Sequence, residues 1–209
     1  MLQRPSRLPR PEGNHRVDFV DFDLAWKQLA PRGVIEAGDG PAAFRVALEE
    51  GAPVIDIAAK DHPRAAGLPT DIKRMSRARM AEFVEAIAHK LHLQEVLVFP
   101  VGKWKQVFEA VSEPMAKHDQ WAAIDGSASV ELNRRDPIVF EQGDHHVLRA
   151  LVQCVLEAGS EQAHGIGIAT TGTSLVMEVL PPGELTIYCG TPALAQQVLE
   201  LMSHLKPDA

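Results

Sequence analysis

The chain has 209 residues, of which 45% are hydrophobic, and a formal net charge of −7 at pH 7. This length and composition permit one sizeable core, and the acidic balance argues against nucleic-acid binding, which needs a broad basic surface. No apolar run approaches the roughly 20 residues of a membrane-spanning helix, so no membrane association is expected.

Residues 1–16 differ in composition from the rest of the chain. They combine prolines with four arginines and one glutamate and carry a net charge of +3, which leaves −10 for residues 17–209. Such a segment buries too little apolar surface to offset its ordering entropy, so we expect a flexible tail that is either solvated or docked on an acidic partner. No apolar stretch follows the arginines, and Cys154 and Cys189 lack a metal-binding spacing. The expected location is therefore the cytoplasm, with both thiols reduced.

The first half of the chain predicts alternating helices and strands. A short strand at 17–22 precedes a brief helix that Asp23 is positioned to cap, and a second short helix is expected at 41–50. Residues 53–58 have the apolar composition of a buried strand. After a loop, a long amphipathic helix is expected at about 76–93, where apolar residues recur at three and four positions.

The second half begins with the clearest strand, a continuous apolar run at 96–101 that is typical of a central position buried on both faces. A helix at 104–115 follows, and then a strand at 121–132. A further strand at 137–140 begins with proline, which favours the edge of a sheet. Asp144 is positioned to cap a helix whose broad apolar stripe indicates a well-buried location.

Three successive strands, at 165–171, 175–180 and 185–189, form the most regular part of the sequence. Their residues alternate with period two, and tight turns separate them; Pro181-Pro182-Gly183 matches a type II turn. The pattern predicts an antiparallel meander with one buried face, which helices have to cover. The helix that begins at Thr191-Pro192 is one candidate for that cover.

Together these elements predict an α+β fold, with mixed α/β as the alternative. We expect a two-layer domain whose C-terminal antiparallel β-meander is covered by helices. One domain is expected over 17–209, and a subdomain boundary near residue 95 is the alternative, although no linker composition marks it. Because the strand order is open, exposed sheet edges compatible with a homodimer are expected.

Two short motifs suggest phosphoester chemistry. Asp144-His145-His146 resembles the motif of the DHH family of metal-dependent phosphoesterases, in which carboxylate and imidazole groups hold a metal that activates water. Asp21-Phe22-Asp23 resembles the Asp-x-Asp of haloacid-dehalogenase-like phosphatases, in which the first aspartate is the nucleophile and the second the general acid. Asp21, Asp23, Asp144 and His145 are therefore candidate catalytic residues.

The further acidic motifs of both families are missing, and adjacent histidines on a helix point about 100° apart. The alternative interpretation makes Asp23 and Asp144 helix caps. The sequence contains no zinc-type spacing of cysteine and histidine, so we predict no metal site and no cofactor outside the phosphoesterase hypothesis.

A basic segment interrupts the acidic chain. Several of its residues lie near the start of the predicted long helix, where the helix dipole disfavours cations. Binding of a small anionic ligand or of an acidic partner is one interpretation, and a solvated loop whose charges pair with nearby carboxylates is the other. The segment consists of Lys60, Arg64, Lys73, Arg74, Arg77 and Arg79.

Because no catalytic constellation is complete, the first functional hypothesis is a non-enzymatic protein-interaction or adaptor domain. The basic segment and the arginine tail would be its contact surfaces. A metal-dependent hydrolase or phosphoesterase is the first alternative. A small-anion sensor that uses Arg74, Arg77 and Arg79 is the second. The sequence names neither the partner nor the ligand and leaves open whether the protein is an enzyme.

Overall fold

The structure is a computed structural model that describes residues 17–38, 44–63, 72–119, 121, 124 and 135–205. The predicted tail at 1–16 lies outside these residues. The helices are α1 (Phe22–Leu29), α2 (Arg77–Lys90), α3 (Trp104–Met115), α4 (His145–Glu157) and α5 (Pro192–His204). The strands are β1 (Asp18–Phe19), β2 (Val34–Ala37), β3 (Arg45–Leu48), β4 (Val54–Ala59), β5 (Lys73–Met75), β6 (Glu95–Pro100), β7 (Ile138–Glu141), β8 (Ile166–Thr170), β9 (Leu175–Leu180) and β10 (Glu184–Cys189).

One eight-stranded sheet organises the molecule, in the order β1-β7-β6-β8-β9-β10-β4-β5. All neighbouring strands are antiparallel except β4 and β5, which are parallel. The adjacency of β8, β9 and β10 confirms the predicted meander, and β6 has the predicted central position between β7 and β8. Helices together with one large mixed sheet confirm the α+β prediction. Strands from both sides of residue 95 belong to this sheet.

The helices α2 to α5 contribute to the larger core, which lies on one face of the sheet. Val96 and Val98 of β6 and Met177 of β9 point into this core, where they join Phe83 of α2 and Leu151 of α4. The apolar stripe of α4 is buried along its whole length, as predicted. Amphipathic helices therefore cover the meander, as its period-two pattern requires.

A smaller unit, made of α1 and the hairpin of β2 and β3, covers part of the other face. Leu97 and Phe99 of β6 and Val176 of β9 form a second core with Leu29 of α1 and Val46 of β3. We expected a meander with one buried face. The strands β8 and β9 are buried at every position, because this second unit covers them as well.

The short helix predicted at 41–50 is wrong, because residues 45–48 form β3. This strand pairs antiparallel with β2, and residues 41–43 lie outside the described part of the chain. Phe44, Val46 and Leu48 recur at every second position and are all buried. That period is the signature of a strand and not of a helix.

The strand predicted at 121–132 is wrong at the two positions that the structure describes. Trp121 and Ile124 are helical, and the other residues of that range lie outside the description. Their three-residue spacing puts both side chains on one helical face. Trp121 stacks on Phe108 with ring centroids 4.9 Å apart, so both aromatic rings belong to the larger core.

The sequence predicted an edge position for the proline-led strand β7, but the structure places this strand inside the sheet. It lies between β1 and β6, and its pairs begin at Ile138, one residue after Pro137. The proline therefore precedes the ladder and removes no hydrogen bond from it.

The N-terminal cap of α1 is Asp21, and not Asp23 as the sequence predicted. The turn after β9 contains a cis peptide bond between Pro181 and Pro182, and Gly183 in this turn has a φ of 110°.

None of the helices in the described part of the chain combines the length and the apolar character that crossing a membrane requires.

Gly167 of β8 marks a close approach between the hairpin and the sheet, since a Cβ atom added there would lie 2.4 Å from Cγ2 of Val46. We expect Gly167→Ala to lower the free energy of unfolding by about 1–3 kcal/mol, because the stiff Val46 side chain cannot retreat. Urea denaturation measures this loss. Gly172→Ala, where an added Cβ meets nothing within 4 Å, is the control. The losses from Gly167→Ala and Val46→Ala should combine less than additively, and strict additivity would contradict the contact.

Candidate functional site

The four candidate catalytic residues lie in two separate places. Asp21 caps α1, where its Oδ1 accepts a hydrogen bond from the Leu24 amide at 3.0 Å, and Asp23 lies in the first turn of that helix. Asp144 and His145 lie at the start of α4. The helix α1 packs into the smaller core and α4 into the larger one, on opposite faces of the sheet. The structure therefore does not bring the four together.

Among the described residues, no group of three or more metal-ligating side chains occurs. The metal-dependent hydrolase stays a prediction, but it has no shared site in this part of the chain.

The basic segment gathers at the β4–β5 edge of the sheet. Lys60 follows β4, Lys73 and Arg74 lie on β5, and Arg77 and Arg79 lie in the first turn of α2, while Arg64 is outside the described residues. The helix dipole disfavours cations in that turn, and a compensating interaction is therefore expected.

Arg77 finds its compensation in protein acceptors. Its Nε donates to the carbonyl of Leu156 at 3.0 Å, and its Nη2 donates to the carbonyl of Pro182 at 2.8 Å. Its Nη1 donates to the carboxylate of Asp61, and this hydrogen bond holds the pKa of Asp61 below its usual range. Arg77 therefore joins the start of α2 to the end of α4 and to the turn between β9 and β10. Arg79 donates to Glu82 in a similar way.

We expect Arg77→Ala to lower the free energy of unfolding by about 2 kcal/mol or more, because it leaves the carbonyls of Leu156 and Pro182 without this donor. Lys73→Ala, at an exposed position of β5, is the matched control and should change stability by less than about 0.5 kcal/mol. Chemical denaturation of both variants measures the difference. Equal stability of the two would show that the three contacts of Arg77 contribute nothing.

His145 is buried between α4 and α2. It is 1% exposed, the ring centroid of His89 lies 5.1 Å from its own, and neither of its ring nitrogens has a hydrogen-bond partner. Burial and, secondarily, the nearby His89 lower the pKa of His145 from 6.5 to about 4. At neutral pH His145 is therefore an uncharged packing residue.

The depressed pKa of His145 makes stability depend on pH. Between about pH 6.5 and 4 the unfolded chain binds a proton that the folded chain excludes, so stability is fully present above pH 6.5 and falls by about 3 kcal/mol toward pH 4. We expect His145→Leu to lose less stability over this range. Denaturation at pH 7.5, 5.5 and 4.5 measures it, with the exposed His146→Leu as the control. If His145→Leu keeps the wild-type pH dependence, this assignment is wrong.

A row of polar side chains crosses the sheet on the hairpin side. Glu178 of β9 lies directly opposite Thr186 of β10, which lies directly opposite Asp56 of β4. Opposite residues in such ladders have Cβ atoms about 4.5–5.5 Å apart. The Thr186 hydroxyl donates to Oδ1 of Asp56 at 2.9 Å. We call Glu178, Thr186 and Asp56 the polar row.

The polar row runs from the covered to the uncovered part of this face. Glu178 is only 7% exposed, Thr186 is half-buried and Asp56 is exposed. Val54 lies two residues from Asp56 on the same face and is 48% exposed, and its partner in the ladder, Tyr188, is half-buried. The hairpin therefore covers β8 and β9 and leaves much of β10 and β4 open.

Glu178 lies at the boundary between the covered and the open part of this sheet face, and few hydrogen-bond donors surround its carboxyl group. Nε of Arg45 is 3.4 Å from its Oε1, which is an ion-pair distance, yet this oxygen accepts no hydrogen bond. Nη2 of Arg45 instead donates to Gln162 at 3.1 Å. Burial raises the pKa of Glu178 above its usual value, Arg45 opposes this shift, and Glu184 adds to it. Burial, followed by the charges of Glu178 and Asp56, also raises the pKa of Tyr188.

This arrangement combines a buried carboxyl group with one oxygen that accepts no hydrogen bond, an exposed carboxylate and an aromatic ring. It is chemically suited to bind the N–H groups of a cation. A cavity of about 270 Å³ lies beside the end of β3, where β4 and β9 begin and β10 ends; Arg32, Glu49 and Glu50 are its charged lining residues.

One residue of the polar row, Glu178, is recognisable in the sequence as unusual. Glu178 is a carboxylate inside a strand whose other five residues are apolar. Its neighbours in the row come from strands separated by 130 residues in the case of Thr186 and Asp56, so their contact depends on strand order and register.

No protein-family model matches the chain, and comparison with curated proteins and with solved structures also gives no match.

Proposed function

We propose that this protein is a non-enzymatic protein-interaction domain. Its contact surface is the open surface, which we define as Val54, Asp56, Thr186 and Tyr188. The supporting observation is that one face of the sheet is covered over β8 and β9 but open over β10 and β4. The exposed Val54, the aromatic ring of Tyr188 and two polar side chains resemble the mixed composition of protein interfaces, in which aromatic residues are enriched.

The open surface is a better contact surface than the basic segment. Arg77 and Arg79 donate to acceptors of the protein itself, so binding an acidic partner there would have to replace these bonds. The same argument weakens the small-anion sensor. Because Arg77→Glu would lower stability whether or not an anion binds, that variant cannot test the sensor hypothesis.

A protein partner fits the open surface better than a small ligand does. Small molecules bind in concave sites that enclose most of their surface, whereas Val54 and Asp56 are exposed on a sheet face. The strands at the two edges are short, two residues in β1 and three in β5, and offer few unpaired backbone groups. We therefore favour binding through the face of the sheet, and a homodimer formed through its edges stays a prediction.

The test is affinity capture from native cell extract with the full-length wild type and two variants. Val54→Glu adds a charge at an exposed position of the open surface, and Glu109→Gln, on the exposed face of α3, is the control. We expect the wild type and the control to retain the same protein in near-stoichiometric amount. We expect Val54→Glu to lose at least about tenfold of that retention, because burying an unpaired carboxylate in the interface is costly.

Melting temperatures of the three proteins verify folding, and light scattering of each detects a second copy of the chain as the partner. Retention of the partner by Val54→Glu at the wild-type level would contradict this contact surface. If the wild type retains no protein and is monomeric, the interaction function itself is contradicted.

A further inference from the structure

We infer that Glu178 and Asp56 bind an arginine side chain that the partner protein presents to the open surface. This inference rests on the proposed function and deepens it, because it names the chemistry that the surface recognises.

Glu178 is short of hydrogen-bond donors. Its Oε1 is buried and accepts no hydrogen bond. Thr186, its direct neighbour in the polar row, donates its hydroxyl proton to Asp56, and Arg45 comes no closer than 3.4 Å through Nε. Buried acceptors are normally satisfied because leaving them unpaired costs free energy. An N–H group of a partner that reaches the small exposed part of this carboxyl group would recover part of that cost.

The charges around the polar row favour binding of a cation. The carboxyl groups of Glu178, Asp56 and Glu184 act around this part of the sheet, and Arg45 is the cation that opposes them at Glu178 and Tyr188. The carboxylate of Glu184 lies 2.9 Å from Nε2 of the buried His62. Glu178 and Asp56 therefore remain the acceptors for a cation from outside.

The positions of the two carboxyl groups favour arginine over lysine as the bound side chain. Glu178 and Asp56 lie on strands two positions apart, about 10 Å between their backbones, with Thr186 between them. A guanidinium group above Thr186 presents planar donors to carboxylates on both sides, which the compact ammonium of lysine does not. Tyr188 follows on the same face and offers its ring for stacking with the guanidinium plane.

The experiment is an NMR titration of the ¹⁵N-labelled full-length protein at low salt. The probes are capped alanine pentapeptides whose central residue is arginine, lysine or citrulline, which has the shape of arginine but no charge. We expect the arginine peptide to shift the amide signals of Glu178, Thr186 and Asp56. Its Kd should be at least about tenfold lower than that of the citrulline peptide, as expected when charge-assisted hydrogen bonds are lost.

Glu178→Gln and Asp56→Asn should each weaken binding of the arginine peptide at least about threefold, whereas Glu109→Gln should not change it. Asp56 is exposed, so Asp56→Asn keeps the test valid if Glu178→Gln does not fold. Equal affinity for the arginine and citrulline peptides would overturn the inference, as would wild-type affinity in Asp56→Asn and in a folded Glu178→Gln. A lysine peptide that binds as tightly as the arginine peptide would overturn the assignment to a guanidinium group.

A second measurement tests whether the arginines near the N-terminus of the chain itself occupy the site. Replacement of the arginines at positions 4, 7, 10 and 16 by glutamine should leave the amide signals of the polar row unchanged without peptide. A shift there would assign the site to the tail and overturn the partner assignment. If the captured partner depends on Val54 while the peptides show no preference for arginine, the interaction function stands and the arginine inference fails.

Discussion

The central strands of the sheet are apolar on both faces, and both faces must be shielded from water. In β6, Val96 and Val98 enter one core while Leu97 and Phe99 enter the other. In the described part of the chain, the helices α2 to α5 contribute to the first core, whereas α1 and the two-stranded hairpin shield the second. The smaller unit covers β8 and β9 and leaves much of β10 and β4 open. The open surface is therefore a consequence of how the second face is covered.

Glu178 is buried and poorly hydrogen-bonded because it lies at the border of the part of the sheet that the smaller unit covers. The hairpin brings Val46 close to Gly167, the ladder partner of Glu178 on β8, and so removes water from the carboxyl group. The same strand supplies Arg45, which approaches Glu178 but donates elsewhere. The next residues of the polar row, Thr186 and Asp56, become progressively more exposed. A poorly satisfied acceptor beside an accessible surface favours binding, because a partner gains the hydrogen bond that the fold leaves unmade.

Arg77 and His145, which the sequence marked as functional candidates, contribute to the packing and hydrogen bonding of the fold. Arg77 is a cation at the start of a helix, where the dipole opposes it, but carbonyls from α4 and from the β9–β10 turn compensate. His145 is part of a metal-type motif, yet its ring is packed between two helices without hydrogen-bond partners. In both cases the residue type suggested chemistry, while its surroundings, which come from distant parts of the chain, show packing.

The sequence by itself determined the elements whose signals are local. The meander, the central strand β6, the buried stripe of α4 and the cap at Thr191 follow from periodicity and capping over a few residues, and the structure confirms them. Tertiary structure decided that 45–48 pair as a strand with β2, and that β4 lies between β10 and β5. It also decided that Glu178, Thr186 and Asp56 form one row. Strand order and register depend on which apolar faces can be buried together, and that is a property of the whole chain.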